Sequence, residues 1–216
     1  MPAAPFPDSH AMLMDRIYRR QRHVYDFTRK YYLFGRDRLI RDLALPPGAS
    51  LVEVGCGTAR NLIAIAKTYP GTRLYGLDAS QAMLESARMA IRRAGLEHRI
   101  VLRQGLAEDF APAQFEVESF ENVLFSYSLS MIPDWQGALA AGFAALSPPG
   151  RLHVVDFGDM TGLGRLAGQA MRGWLRLFHV TPRAEFLSGL ERVAGGKGRL
   201  TLLSGRYAFI FSREKM

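Results

Sequence analysis

The stretch Leu51-Val52-Glu53-Val54-Gly55-Cys56-Gly57-Thr58-Ala59 decides the fold. An apolar run that reads as a buried strand ends in a two-glycine turn. It passes straight into a helix-like pattern, Asn61-Leu62-Ile63-Ala64-Ile65-Ala66. A nucleotide-like ligand can approach bare backbone at such a turn, because glycine carries no Cβ and enters the left-handed region freely. The dinucleotide fingerprint wants a third glycine where Arg60 stands, which disfavours NAD, and no Gly-Lys-Ser/Thr triplet follows for a phosphate-binding P-loop. The next apolar run, Arg73-Leu74-Tyr75-Gly76-Leu77-Asp78, ends in a carboxylate 21 positions after Gly57. An acid at that spacing holds a ribose diol. Alternatively Asp78, followed by Ala79-Ser80, only caps the helix of Met83, Leu84 and Ala87; the upstream glycines favour the ribose.

With Glu53 as the acid, Gly55 and Gly57 in place and Ala59 where a last glycine is usual, the stretch resembles motif I of the class I S-adenosylmethionine-dependent methyltransferases. Alanine is a mild departure. The resemblance implies S-adenosylmethionine as cofactor and a doubly wound, Rossmann-like α/β fold. The candidate cofactor-binding residues are Tyr18, Glu53, Gly55, Cys56, Gly57, Asn61, Asp78, Ala79, Met83, Leu106, Ala107, Ser126 and Ser128.

The pattern around the motif agrees with an alternating fold. Strands are expected at 51–54, 73–77, 100–103, 121–125 and 151–156, with helices at 60–68, 80–94 and 135–146 and a helix or turn near 107–110. Strand and helix in turn mean parallel βαβ units with helices on both faces, and a ligand at the carboxyl ends of the strands. Pro46-Pro47-Gly48 and Pro148-Pro149-Gly150 are expected turns. The final segment 199–211 reads as two strands around Ser204-Gly205, an antiparallel hairpin completing a seven-stranded sheet. Many relatives place an acid at the Leu106 position to meet the adenine amino group. Here that contact is expected from backbone groups of Leu106 and Ala107, with Glu108 or Asp109 as substitutes or merely as the start of a helix.

Composition fits one domain. The chain has 216 residues, 48% hydrophobic and 22% charged, with a single cysteine, Cys56, which excludes an internal disulfide or a cysteine metal cluster. Residues 1–11 read as a disordered tail and 12–216 as one methyltransferase domain, opening with a helical lid over 12–43 bent at Gly35. No secretory h-region and no run of 18 apolar residues is present, so a cytoplasmic location is expected. The formal charge of +8 is unevenly placed. Residues 15–42 carry nine Lys/Arg against four Asp/Glu, residues 43–150 eight against ten, and residues 151–216 eleven against five. Two basic flanks around an acidic centre suggest a surface drawn to an anionic partner, or simply a solvated exterior.

Tyr18, Tyr25 and Tyr32 are seven apart, and Arg22, Arg29 and Arg36 repeat with the same period. Seven residues are two helical turns, so the rings and the guanidiniums form adjacent stripes. Such a helix either packs its rings on the domain or serves as a lid, with rings facing a cation and arginines holding a carboxylate or phosphate. The segment from Tyr18-Arg19 through Tyr25-Asp26 and Thr28-Arg29-Lys30-Tyr31-Tyr32-Leu33 to Gly35-Arg36-Asp37 resembles the bacterial betaine-lipid N-methyltransferases of the BtaB type. These enzymes methylate diacylglycerylhomoserine. The resemblance implies catalytic roles for Tyr25, Tyr32 and Tyr127 in orienting the amine, carboxylate binding by Arg22, Arg29 or Arg36, no metal, and work at an anionic membrane surface.

Other acceptors fit less well or remain open. Ser126-Tyr127-Ser128 stands where adenine or amide methylation usually shows an Asp/Asn-Pro-Pro-aromatic motif, and Cys56 lies in the glycine loop rather than at a nucleophile's position, so no nucleic-acid partner is expected. Phosphatidylethanolamine differs from the homoserine lipid by a phosphate in place of a carboxylate and is the alternative acceptor. A cofactor-binding regulator without activity is the alternative from another class. His153 and His179 could act as bases, although a lone histidine within an apolar strand or helix is more often structural. An amphipathic helix over 162–178, with Leu163, Leu166, Ala167, Ala170, Met171, Trp174, Leu175 and Phe178 at helical spacing, either packs on the sheet or lies on a membrane.

Overall fold

The computed structural model of the chain describes residues 33–176, 180, 186–193 and 196–216. The expected tail, most of the expected lid and His179 lie outside the described residues. So do five stripe residues, Tyr18, Arg22, Tyr25, Arg29 and Tyr32.

One sheet of seven strands organises the described chain, in the order β3-β2-β1-β4-β5-β7-β6. Its strands are β1 (Ser50–Val54), β2 (Arg73–Asp78), β3 (Ile100–Gln104), β4 (Phe120–Ser126), β5 (Leu146–Phe157), β6 (Arg199–Leu203) and β7 (Ala208–Lys215). Strands β1 to β5 pair in parallel, and β7 runs antiparallel to both β5 and β6. This is the doubly wound, Rossmann-like arrangement with an antiparallel end that the strand pattern predicts. Every residue of β1 is buried, as a central parallel strand covered on both faces requires, while the edge strand β6 is mostly exposed.

Among the described residues six helices flank the sheet: α1 (Arg36–Asp42), α2 (Arg60–Thr68), α3 (Gln81–Arg93), α4 (Trp135–Ala144), α5 (Arg165–Arg176) and α6 (Phe186–Val193). One face is closed by α1, α2, α3 and α5 over a core that includes Leu39, Leu62, Leu84 and Leu175. The other is closed by α4 and α6 over Trp135, Leu139, Phe186 and Leu190. Trp135 and Phe186 meet edge to face at 4.8 Å, and a side chain on Gly189 would strike the Trp135 ring. Gly35, at φ +83°, stands at the N-terminus of α1.

Three local expectations need correction. Strand β5 begins at Leu146, not 151: Leu146 pairs with Phe120, Arg151 with Asn122, and the ladder shifts between them, because prolines 148 and 149 cannot donate to it. Helix α6, whose anchoring partners are distant in sequence, was not foreseen. The apolar stripe of the 162–178 segment divides: Leu175 is buried and Met171 and Trp174 pack on the core, while Ala167 and Ala170 are exposed and Leu166 is 81% exposed. Phe178 lies outside the described residues.

Candidate active site

Four strand ends, those of β1, β2, β3 and β4, and the loops that follow them make a cleft. The first wall is the glycine turn. Gly55 and Cys56 both donate their backbone N–H to the Leu77 carbonyl, at 2.8 and 2.9 Å, which pins the loop to the end of β2. Gly55 at φ +77° and Gly57 at φ +53° use a region where a side chain is strained. A Cβ on Gly55 would also lie 2.5 Å from the Ser128 Cβ, so glycine is required there on two counts. Ala59 holds φ +60° at the start of α2, with no side chain capping the helix. The first-turn N–H groups of α2 are therefore left for backbone, water or a ligand.

Asp78 closes the second wall. Its Oδ2 accepts from Gly57 N–H at 2.7 Å and its Oδ1 from Ser80 N–H at 2.9 Å. The spacing of 21 residues is thus the path along α2 and β2 that brings the carboxylate back against the glycine turn. Ser80, not Asp78, caps α3, by accepting from Met83 N–H at 3.3 Å. The capping role proposed for Asp78 belongs to its neighbour, and Asp78 lines the cleft together with Ala79 and Met83.

Beyond β3, Gly105 donates to the Asp78 carbonyl at 3.1 Å and leads to Leu106, Ala107 and Glu108, all on the cleft. Residues 107–109 form a turn and the helical piece that follows is a short one at Pro112–Phe115, so Glu108 does not start a helix. Asp109 is exposed and outside the lining.

The turn after β4 supplies the last wall. Tyr127 takes φ +56°, Ser128 Oγ donates to the Val54 carbonyl at 2.9 Å, and Met131 and Ile132 fold back over Ser128. The buried Asp156 carboxylate, at the end of β5, holds this turn by accepting from Ser130 N–H at 3.1 Å. Burial raises the Asp156 carboxyl to about 6. Tyr127 is 1% exposed; its ring borders the cleft and its hydroxyl donates to the Phe34 carbonyl. Burial and the Asp156 charge push the phenol well above its ordinary value, so it stays protonated. Its oxygen is engaged by the backbone, and what it offers the cleft is the ring.

Not every candidate lies on the cleft. Glu53, Cys56, Asn61 and Ser126 are absent from its lining. Asn61 Nδ2 donates to Glu53 Oε1 at 2.6 Å, behind the glycine turn. Cys56 points inward, its sulfur close to Gly76, and burial with Asp78 and Glu53 nearby raises its thiol. Arg36, 6% exposed, is buried near Arg60 and Glu53, and desolvation followed by Arg60 lowers its guanidinium value. His153 is held between Asn122 Oδ1 and Ser212 Oγ, each at 3.2 Å, away from the cleft. Leu77, Gly105, Met131 and Ile132 line the cleft without having been singled out. Leu77 and Gly105 follow directly from the rule that strand ends bind ligands, whereas Met131 and Ile132 depend on how the β4 turn folds back.

The donor set suits a nucleoside-bearing cofactor. It combines bare backbone at Gly55 and Gly57, a carboxylate for a diol, and an apolar slot between Leu106, Met83 and Ile132 for a base. No group of three or more His, Cys, Asp or Glu side chains among the described residues is placed to hold a metal ion.

Residues 51–150 match the family described as "Methyltransferase domain". The ubiquinone/menaquinone biosynthesis C-methyltransferase UbiE of Syntrophotalea carbinolica is 30% identical over 178 residues, 79% of this chain and 69% of that protein. The demethylmenaquinone methyltransferase of Lactobacillus johnsonii is 29% identical over 58% of this chain and 51% of its own length. The alignment thus spans about two thirds of the first relative's length and about half of the second's. Among solved structures, the magnesium protoporphyrin IX methyltransferase of Synechocystis with bound S-adenosylhomocysteine has a TM-score of 0.70 at 15% identity, covering 95% of this chain and 99% of that one.

Proposed function

The chain belongs to the class I S-adenosylmethionine-dependent methyltransferases, and from that premise we propose that it methylates a lipid head-group amine, converting diacylglycerylhomoserine to diacylglyceryl-trimethylhomoserine in successive rounds. The observation that carries the reading is the seating of residues 34–36, the end of the stretch that resembles betaine-lipid enzymes. The Phe34 carbonyl rests on the Tyr127 hydroxyl at the edge of the cleft, the Phe34 ring meets Tyr207 at 5.3 Å, and Arg36 is buried behind the glycine turn.

When bound, S-adenosylmethionine supplies an electrophilic methyl group on sulfur. In this reading Asp78 holds the ribose diol, Leu106, Ala107 and Glu108 surround the adenine, and the backbone of Gly55 and Gly57 faces the methionine portion. In-line transfer asks the chain mainly to align amine and methyl and to exclude water. Among the described lining residues the carboxylates, Asp78 and Glu108, fall at the nucleoside end. The amine is therefore expected to enter neutral, with Tyr25 and Tyr32 as ring faces for the growing cation. Arg22 and Arg29 are the proposed holders of the acceptor's carboxylate, whereas Arg36, buried off the cleft, is not placed to reach it.

A second reading, methylation of a quinol ring carbon, is favoured by the names of the relatives. Its acceptor is a carbon made nucleophilic by the ring oxygens, and it needs no carboxylate clamp. The test mixes the purified protein and S-adenosylmethionine with liposomes carrying diacylglycerylhomoserine, phosphatidylethanolamine or demethylmenaquinol, and follows product mass. Gains of one, two and three methyls on the homoserine lipid alone are expected. Product from demethylmenaquinol alone would move the acceptor to quinols, and product from phosphatidylethanolamine alone would exchange the carboxylate for a phosphate.

A further inference from the structure

A second concavity shares no lining residue with the cleft. It lies between α1 and the β5-β7-β6 end of the sheet. The ladder puts Arg151 opposite Glu214, His153 opposite Ser212, and Arg199 opposite Ser212 from the other side. Arg38, Leu39 and Asp42 come from α1, and Thr201 and Arg213 complete the wall. Three guanidiniums, those of Arg38, Arg151 and Arg199, therefore converge with two carboxylates, while Arg213, on the other face of β7 from Ser212 and Glu214, donates a guanidinium N–H to the Lys197 carbonyl. Asp42 is shared with Arg38 at 3.5 Å and Glu214 with Arg151 at 2.8 Å, both pairs open to water. Arg199 forms no salt bridge among the described residues. The floor is His153, which burial and Arg151 lower to about 3, so it stays neutral and adds no charge. The two basic flanks of the sequence meet here, since Arg38 comes from the first and Arg151 and Arg199 from the second.

We propose that this groove binds phosphoryl oxygens. A compact dianion takes several charge-assisted bonds at once from guanidinium forks, which a single planar carboxylate does not need. The Thr201 hydroxyl adds a neutral donor beside Arg199. The inference rests on the groove alone and is independent of which acceptor is methylated.

The test measures binding of the full chain to inorganic pyrophosphate by calorimetry, and to phosphatidylglycerol vesicles by sedimentation. Wild type is expected to bind at least one probe. The double variant Arg38→Gln/Arg199→Gln is expected to lose about tenfold or more in affinity, whereas Glu214→Gln, which releases Arg151, gains about twofold. A control with the same loss of charge elsewhere, Arg88→Gln/Arg93→Gln on α3, leaves binding unchanged, and S-adenosylmethionine affinity is the same in all variants. Vesicle binding alone assigns a lipid head group, and pyrophosphate binding alone assigns a soluble phosphate. Wild type that binds neither probe, a groove variant that binds as wild type does, or a control that loses as much overturns the proposal.

Discussion

At the carboxyl ends of β1, β2 and β4 the cleft is shaped by backbone: two loop N–H groups on the Leu77 carbonyl, Gly57 on Asp78, and a glycine that leaves no room for a methyl beside Ser128. Under α1 the groove is shaped by the far ends of long side chains, two of them in open ion pairs. A backbone-built site has one geometry and little tolerance. A side-chain-built site keeps its charge while its geometry adapts, and any one of its members is replaceable at small cost to the fold.

The largest effect expected from this contrast is at Gly55. Gly55→Ala forces a Cβ against Ser128 at φ +77°, and should cost about 3 kcal/mol of stability and abolish measurable S-adenosylmethionine binding. Calorimetry that finds ordinary affinity in this variant would break the contrast. The intermediate case is Asp156, on the strand that serves both regions. Burial raises its carboxyl from 3.8 to about 6, so folding favours the protonated form. Its contribution is full below the unfolded value and is lost as pH rises through about 6. Asp156→Asn removes that loss, so variant stability relative to wild type should rise by about 3 kcal/mol between acid and neutral pH; parallel denaturation curves at every pH would refute the assignment. The smallest effect is Arg38→Gln, whose open pair with Asp42 should change stability by no more than about 0.5 kcal/mol in urea titrations.

The same contrast explains what could be read from the chain. Glycine spacing, the acid ending β2 and the apolar alternation are local, so the cleft end and the succession of parallel strands and helices followed from them. Helix α6 depends on Gly189 meeting Trp135 and Phe186 meeting Phe209, contacts between segments far apart in sequence. The groove draws Arg38, Arg151 and Arg199 from three regions whose proximity only the finished sheet creates. Seeing two basic flanks was possible from charge counting; seeing that they meet was not. Tyr127 gives a third case. The sequence marked it as an aromatic near the acceptor, but its left-handed backbone and its bond to Phe34 arise from the β4 turn.

The chain's single cysteine sits inside the glycine turn, 6% exposed and turned toward Gly76. A thiol reagent can reach it only when that turn lifts away from β2, and the buried thiol must ionise to react. The protein therefore carries a built-in clock for its cofactor loop: the rate of Cys56 labelling counts openings, with no engineered label and no competing thiol.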